Sequence, residues 1–188
     1  METLIPTSYF IDLEHEHGAH DYHPLPVVLE RGEGVYLWDV EGKKYYDFLS
    51  AYSAVNQGHC HPRIVHALKE QASKLTLTSR AFHNNKLGRY MEYVTSYFGF
   101  DRLLPSNTGA EAVEAAIKIT RKWGYVKKGI PENKAEIIVC SQNFHGRTST
   151  IISFSSDPGS KNHFGPHAQG FITIPYNDIE ALESILET

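Results

Sequence analysis

The second half of the chain alternates short apolar runs with stretches of helical spacing, and this alternation constrains the fold more than any other feature. Arg102-Leu103-Leu104, Glu136 to Cys140 and Phe171 to Ile174 read as strands. Helical patterns run through Ala112, Ala116 and Ile119, from near Thr148, and again from Asp178. Strands separated by helices cannot be joined by tight hairpins, so they pair in parallel with helices covering the sheet. The expected fold class is α/β.

The first half reads differently. Residues 1–34 show no clear period, and Pro24 and Pro26 restrain an extended passage. Val35 to Asp39 and Tyr45 to Leu49 are β-favouring runs joined by the turn formers Glu41-Gly42-Lys43, which predicts a hairpin. Asn56 to Pro62 reads as a loop, with Pro62 placed to open a helix through Ile64, Val65, Leu68, Ala72 and Leu75. A second helix fits Leu87 to Phe98, with Gly99 as its stop. This gives an N-terminal segment over residues 1–62 that contributes to a small domain. Residues 63–188 then form the first part of a larger one. The chain ends at Thr188, in or just after a helix, with three candidate parallel strands and no linker-like boundary. The sequence is accordingly expected to be truncated.

Composition narrows the function classes. At 41% hydrophobic and 21% charged residues the chain is globular in character, and no apolar run approaches the roughly 18–20 residues that cross a bilayer. A net charge of −4 gives no basic surplus for nucleic acid. Cys60 and Cys140 make no disulfide framework, and Met1 to Leu4 lacks the basic and apolar regions of a secretory signal. A reduced, cytoplasmic setting is expected. Two histidine clusters, His15, His17, His20 and His23, then His59 and His61, invite a metal reading. Alternating ligands in an extended loop rarely converge on one ion, so no metal is assigned.

Two loops carry chemistry. Ser106-Asn107-Thr108-Gly109-Ala110-Glu111 lies between a strand and a helix, where small residues let a phosphate approach unpaired N–H groups at the positive end of the helix dipole. Gly109 and Ala110 are the candidate backbone donors, with Thr108 and Asn107 nearby. Thr108 with Glu111 also fits an ordinary capping box, and these residues alone do not separate the two readings. Asn143 to Thr148 follows the next strand, and the carboxyl ends of parallel strands are where α/β sheets bind ligands. There Phe144 could cover a flat ring and Arg147 could clamp a carboxylate through its planar fork. Alternatively Phe144 is core and Arg147 a solvated helix-start residue.

An ordered series of segments resembles the ornithine aminotransferases over nearly the whole chain. It includes Tyr22 to Pro26, Leu37 to Gly42, Ser53 to Pro62, Leu75 to Phe82, Asn107 to Gly109 and Arg121 to Tyr125. The resemblance implies a class III, fold-type I enzyme dependent on pyridoxal 5'-phosphate, here incomplete. It implies that Thr108, Gly109 and Ala110 hold the cofactor phosphate, that Phe144 stacks on its ring and that Arg147 binds a substrate carboxylate. Tyr22 and Tyr52 match tyrosines that shape the pocket for L-ornithine; packing in the core or hairpin is their alternative. The implied reaction moves the terminal amino group of L-ornithine to 2-oxoglutarate, within arginine and proline metabolism. The implied assembly is a homodimer, with Leu75 to Phe82 near its interface.

One position departs from the pattern. Many ornithine aminotransferases carry tryptophan where this chain has His145, and Phe-His-Gly-Arg is also the pattern of acetylornithine and succinylornithine aminotransferases. The Schiff-base lysine and the carboxylate partner of the cofactor ring lie, in the family, beyond the segment that matches, so no residue here takes a catalytic role. The chain by itself is expected to be inactive, acting with a continuation or as a subunit-association module.

Overall fold

The computed structural model describes residues 5–187, so Met1 to Leu4 and Thr188 lie outside the described residues. The chain divides into two compact units between Asn85 and Lys86.

The first unit opens with a helix the sequence reading did not anticipate. Helix α1 spans Thr7–His17 and ends where the Gly18 N–H donates to Glu14 O. It buries no residue, and its apolar and charged side chains mix without a clean stripe, which is why periodicity missed it. Strand β1, Leu29–Glu33, also corrects the expectation of an irregular start. Its Glu, Arg and Gly residues have low strand preference, but β2 supplies the ladder that makes it a strand. The expected hairpin forms from β2, Tyr36–Asp39, and β3, Lys44–Tyr46, giving an antiparallel sheet in the order β1-β2-β3. On its surface the Arg31 guanidinium lies 3.6 Å over Trp38 and the Lys44 ammonium 3.4 Å over Tyr36. Helix α2, Pro62–Ala72, begins at Pro62 as its pattern requires.

Asp39 organises the hairpin turn. Its buried carboxylate accepts from Glu41 N at 3.0 Å, Lys43 N at 2.8 Å and the Tyr45 hydroxyl at 2.7 Å. The Tyr45 hydrogen bond and then these amides hold its pKa below the ordinary value. A carboxylate with a lowered folded pKa stabilises fully above its unfolded value, about 3.9, and the contribution disappears as pH falls through the folded one. Asp39→Ala should therefore lower the unfolding midpoint at neutral pH, with the gap to the parent closing below about pH 4. Thermal melts across pH check this; a gap that widens in acid would contradict it.

The second unit carries the α/β pattern. Helix α3, Leu87–Phe98, stops at Gly99 in the left-handed conformation, φ 73°, as expected of a glycine C-cap. Helix α4, Gly109–Lys127, is followed by β4, Ile137–Cys140, short helices α5, Ser149–Ile152, and α6, Pro158–Lys161, then β5, Phe171–Ile174, and α7, Ile179–Leu186. Strands β4 and β5 pair in parallel, Ile137 opposite Phe171 and Cys140 opposite Ile174. Thr148 and Asp178 stand at the N-caps of α5 and α7, and the Asp178 carboxylate accepts from Ala181 N at 2.9 Å. The expected strand at Arg102 to Leu104 does not form. Leu104 is 64% exposed, Pro105 offers no N–H, and among the described residues no neighbouring strand pairs with it. The core sits between α4 and the sheet, where Ile117, Ile151 and Phe154 pack with Ala110, Val113, Ile137, Val139 and Phe171.

Candidate cofactor and substrate site

The start of α4 shows that capping and anion binding are compatible here. Thr108 Oγ1 accepts from Glu111 N at 3.1 Å, while Glu111 Oε2 accepts from Asn107 N at 2.7 Å and Thr108 N at 3.2 Å. The Asn107 bonds, first among these, hold the Glu111 carboxyl below its ordinary pKa. Both halves of the capping box are present. They use the amides of Asn107, Thr108 and Glu111. Among the described residues the N–H groups of Gly109 and Ala110 have no partner. A Cβ placed on Gly109 would meet nothing within 4 Å. Two unpaired amides at the positive end of a 19-residue helix, facing open space, fit a phosphate.

The loop after β4 is fastened against this helix start. Asn143 Nδ2 donates to Cys140 O at 2.6 Å and to Phe154 O at 3.2 Å. Gly146, at φ 126°, lies so close to α4 that a Cβ there would stand 3.0 Å from Ala110 Cβ and 3.2 Å from Ile151 Cδ1. The Thr148 hydroxyl donates to the Glu114 carboxylate on α4. Between these ties Phe144 is 74% exposed, so it is not a core residue. Burial of Phe154 beneath the loop, not of Phe144, provides the apolar anchor. Arg147 is exposed, and its charge adds to the bonds from Ser160 and Gly159 that lower the pKa of Asp157. His145 turns its ring toward Phe154, centroids 5.8 Å apart. A cleft of about 580 Å³ opens at the carboxyl ends of the strands, lined by Cys140, Asn143, Phe144, His145 and Tyr176.

Tyr22 and Tyr52 belong to the first unit. Tyr22 lines a cleft with Ile11, His15 and Pro24 and is itself largely exposed. Tyr52 is 88% exposed, which removes the packing reading for it. It sits on a left-handed helical turn of four non-glycine residues, Ser50, Ala51, Tyr52 and Ser53, with φ of 47°, 47°, 56° and 73°. Such a conformation costs roughly 1–2 kcal/mol per residue, so surrounding contacts must over-determine it. The sequence gives no glycine or asparagine there to signal it. Sequence reasoning also missed the Glu114–Thr148 tie and the close approach of Gly146 to Ala110, both made between residues far apart in the chain.

The sequence family described as Aminotransferase class-III matches residues 17–187. The chain belongs to the class-III aminotransferases. This class-III chain is 58% identical to the mitochondrial ornithine aminotransferase of Rattus norvegicus, over 96% of its own length and 41% of the relative's. The ornithine aminotransferase structure from Toxoplasma gondii superposes with a TM-score of 0.96 at 45% identity, covering 98% of this chain and 43% of that one. That enzyme was seen with partial occupancy of PLP at its active site. The acetylornithine aminotransferase of Elizabethkingia anophelis superposes with a TM-score of 0.83 at 68% identity, covering 97% of this chain and 44% of that one. The class-III chain thus spans less than half the length of these relatives. Among the described residues no helix is long and apolar enough to cross a membrane, and no group of three His, Cys, Asp or Glu is placed to hold a metal.

Proposed function

We propose that the chain provides the phosphate cradle, the ring-stacking aromatic and part of the substrate pocket of an ornithine aminotransferase that moves the terminal amino group of L-ornithine to 2-oxoglutarate. The observation that carries this is the meeting of two loops, with the unpaired amides of Gly109 and Ala110 beside a fastened loop that exposes Phe144 and Arg147. Pyridoxal phosphate, when bound, supplies an electron sink and a carrier for the amino group. Gly109 and Ala110 hold its phosphate through their backbone amides and the helix dipole, with the Thr108 side chain beside them at the helix start. Phe144 offers a flat face to its ring, and Arg147 binds a substrate carboxylate in a fork. Tyr22 and Tyr52 shape the pocket for ornithine. The lysine that binds the cofactor is assigned to no residue here, so the chain by itself does not turn over substrate. The exposed Leu77 and Phe82 support a homodimer in which the run Leu75 to Phe82 is covered. A cytoplasmic setting is part of this proposal, and cell fractionation of the complete enzyme tests it.

A second reading, an acetylornithine- or succinylornithine-type enzyme, is favoured by His145 and by the 68% identity to the Elizabethkingia anophelis protein. Steady-state kinetics on the complete enzyme decide between them. The proposal expects a higher kcat/KM for L-ornithine than for N-acetylornithine; the reverse order selects the second reading. Tyr52→Ile should reduce kcat/KM for ornithine by about tenfold more than for the monoamine 5-aminopentanoate. Equal losses for the two would remove Tyr52 as a specificity residue.

A further inference from the structure

The left-handed turn that presents Tyr52 is closed by a clasp. Asp47 Oδ1 accepts from both Leu49 N and Ser50 N, each at 2.9 Å, at the point where the turn begins. Asp47 Oδ2 meets His59 Nε2 at 2.6 Å, on the far side of the turn. The Asp47 and His59 side chains are 10% and 22% exposed, so their contact is well shielded from water. Both ends of the clasp are fixed to the hairpin. Asp47 N donates to Val35 O at 2.9 Å, and His59 forms a two-bond bridge with Gly34, 3.0 and 2.8 Å. Beside it Gly58, at φ 85°, passes so near Gly34 that a Cβ would lie 3.0 Å from Gly34 Cα.

We propose that Asp47 and His59 are positioning residues for substrate discrimination: together they hold the strained turn from Ser50 to Ser53 and so fix where Tyr52 stands in the pocket. Neither touches substrate in this scheme. A left-handed run without glycine would relax to an ordinary conformation if its first amides lost their acceptor or its two ends separated. Relaxation would move Tyr52, whose exposed ring has no packing of its own to hold it. The bonds to the Ser50 and His59 groups also keep the Asp47 carboxyl below its ordinary pKa, consistent with a clasp that stays ionised.

This inference rests on the ornithine aminotransferase reading, and its test separates the two. In the complete enzyme, kcat/KM is measured for L-ornithine and for 5-aminopentanoate in Asp47→Ala, His59→Ala, Tyr52→Ile and the double variant Asp47→Ala/Tyr52→Ile. Asp47→Ala should lose about tenfold in the ornithine-to-monoamine ratio, mainly through KM for ornithine. The double variant should lose no more of the ratio than Tyr52→Ile alone, because residues acting through one another are non-additive. Asp47→Asn, which keeps an acceptor for Leu49 N and Ser50 N, should recover most of the ratio. An unchanged ratio in Asp47→Ala, or losses that multiply in the double variant, would overturn the proposal. Should Asp47→Ala give no folded protein, His59→Ala carries the test, and an unchanged ratio there overturns it. A parent enzyme that does not accept ornithine sinks the functional reading instead.

Discussion

Gly146→Val is expected to lower stability by roughly 2–5 kcal/mol, combining left-handed backbone strain with an overpacked contact. The position has φ 126°, which a β-branched residue does not tolerate, and its Cβ would meet Ala110 Cβ at 3.0 Å and Ile151 Cδ1 at 3.2 Å. Neither neighbour can swing aside. Ala110 belongs to the first turn of α4, and Ile151 is 1% exposed at the centre of the core. The protein must therefore lift the whole loop, which would displace Phe144 and Arg147 from the amides of Gly109 and Ala110. Denaturant unfolding and a cofactor titration on the complete enzyme report both consequences. A parent-like midpoint with parent-like cofactor affinity would show that the loop does not depend on this approach.

Arg147→Ala is expected to weaken carboxylate substrate binding in the complete enzyme by about 2–4 kcal/mol, the scale seen when one partner of a desolvated charge pair is removed. The effect should appear with both L-ornithine and 2-oxoglutarate if the guanidinium serves as their common anchor. Lysine should restore little, because a point charge lacks the planar fork. Asp157 offers an internal control. Its carboxyl is held down first by Ser160 and Gly159, with Arg147 a lesser influence, so it should remain ionised at neutral pH in the variant. Unchanged kinetics for both substrates would remove Arg147 from the site.

Much of the fold was legible because its signals are local. Pro62 opening α2, Gly99 closing α3 and the cap residues Thr108 and Asp178 each act on amides or carbonyls within one turn. The run Phe171 to Ile174 was equally plain, being short, apolar and β-branched. The errors share a cause as well. Leu103 and Leu104 have strand character without a partner strand, whereas Leu29 to Glu33 lacks the character but has the partner. Strand formation is a pairwise property, and one segment carries only half of it. Helix α1 escaped notice because it buries nothing and so needs no apolar stripe.

For the candidate site the division follows the same line. By itself the sequence determined the α/β class, the starts of α2, α4 and α7, the stop of α3, the family resemblance and which residue types stand in the two loops after strand-like runs. Only the tertiary structure decided that the capping box leaves the amides of Gly109 and Ala110 unpaired. It likewise placed Gly146 against Ala110, left Phe144 exposed while Phe154 is buried, and closed a left-handed turn under Tyr52 with Asp47 and His59. The capping box is a local device; the others depend on groups from separate parts of the chain competing for the same space or the same hydrogen bond. Propensity and spacing record what a segment prefers; the surrounding contacts decide which of its polar groups are satisfied, and therefore which remain for a ligand.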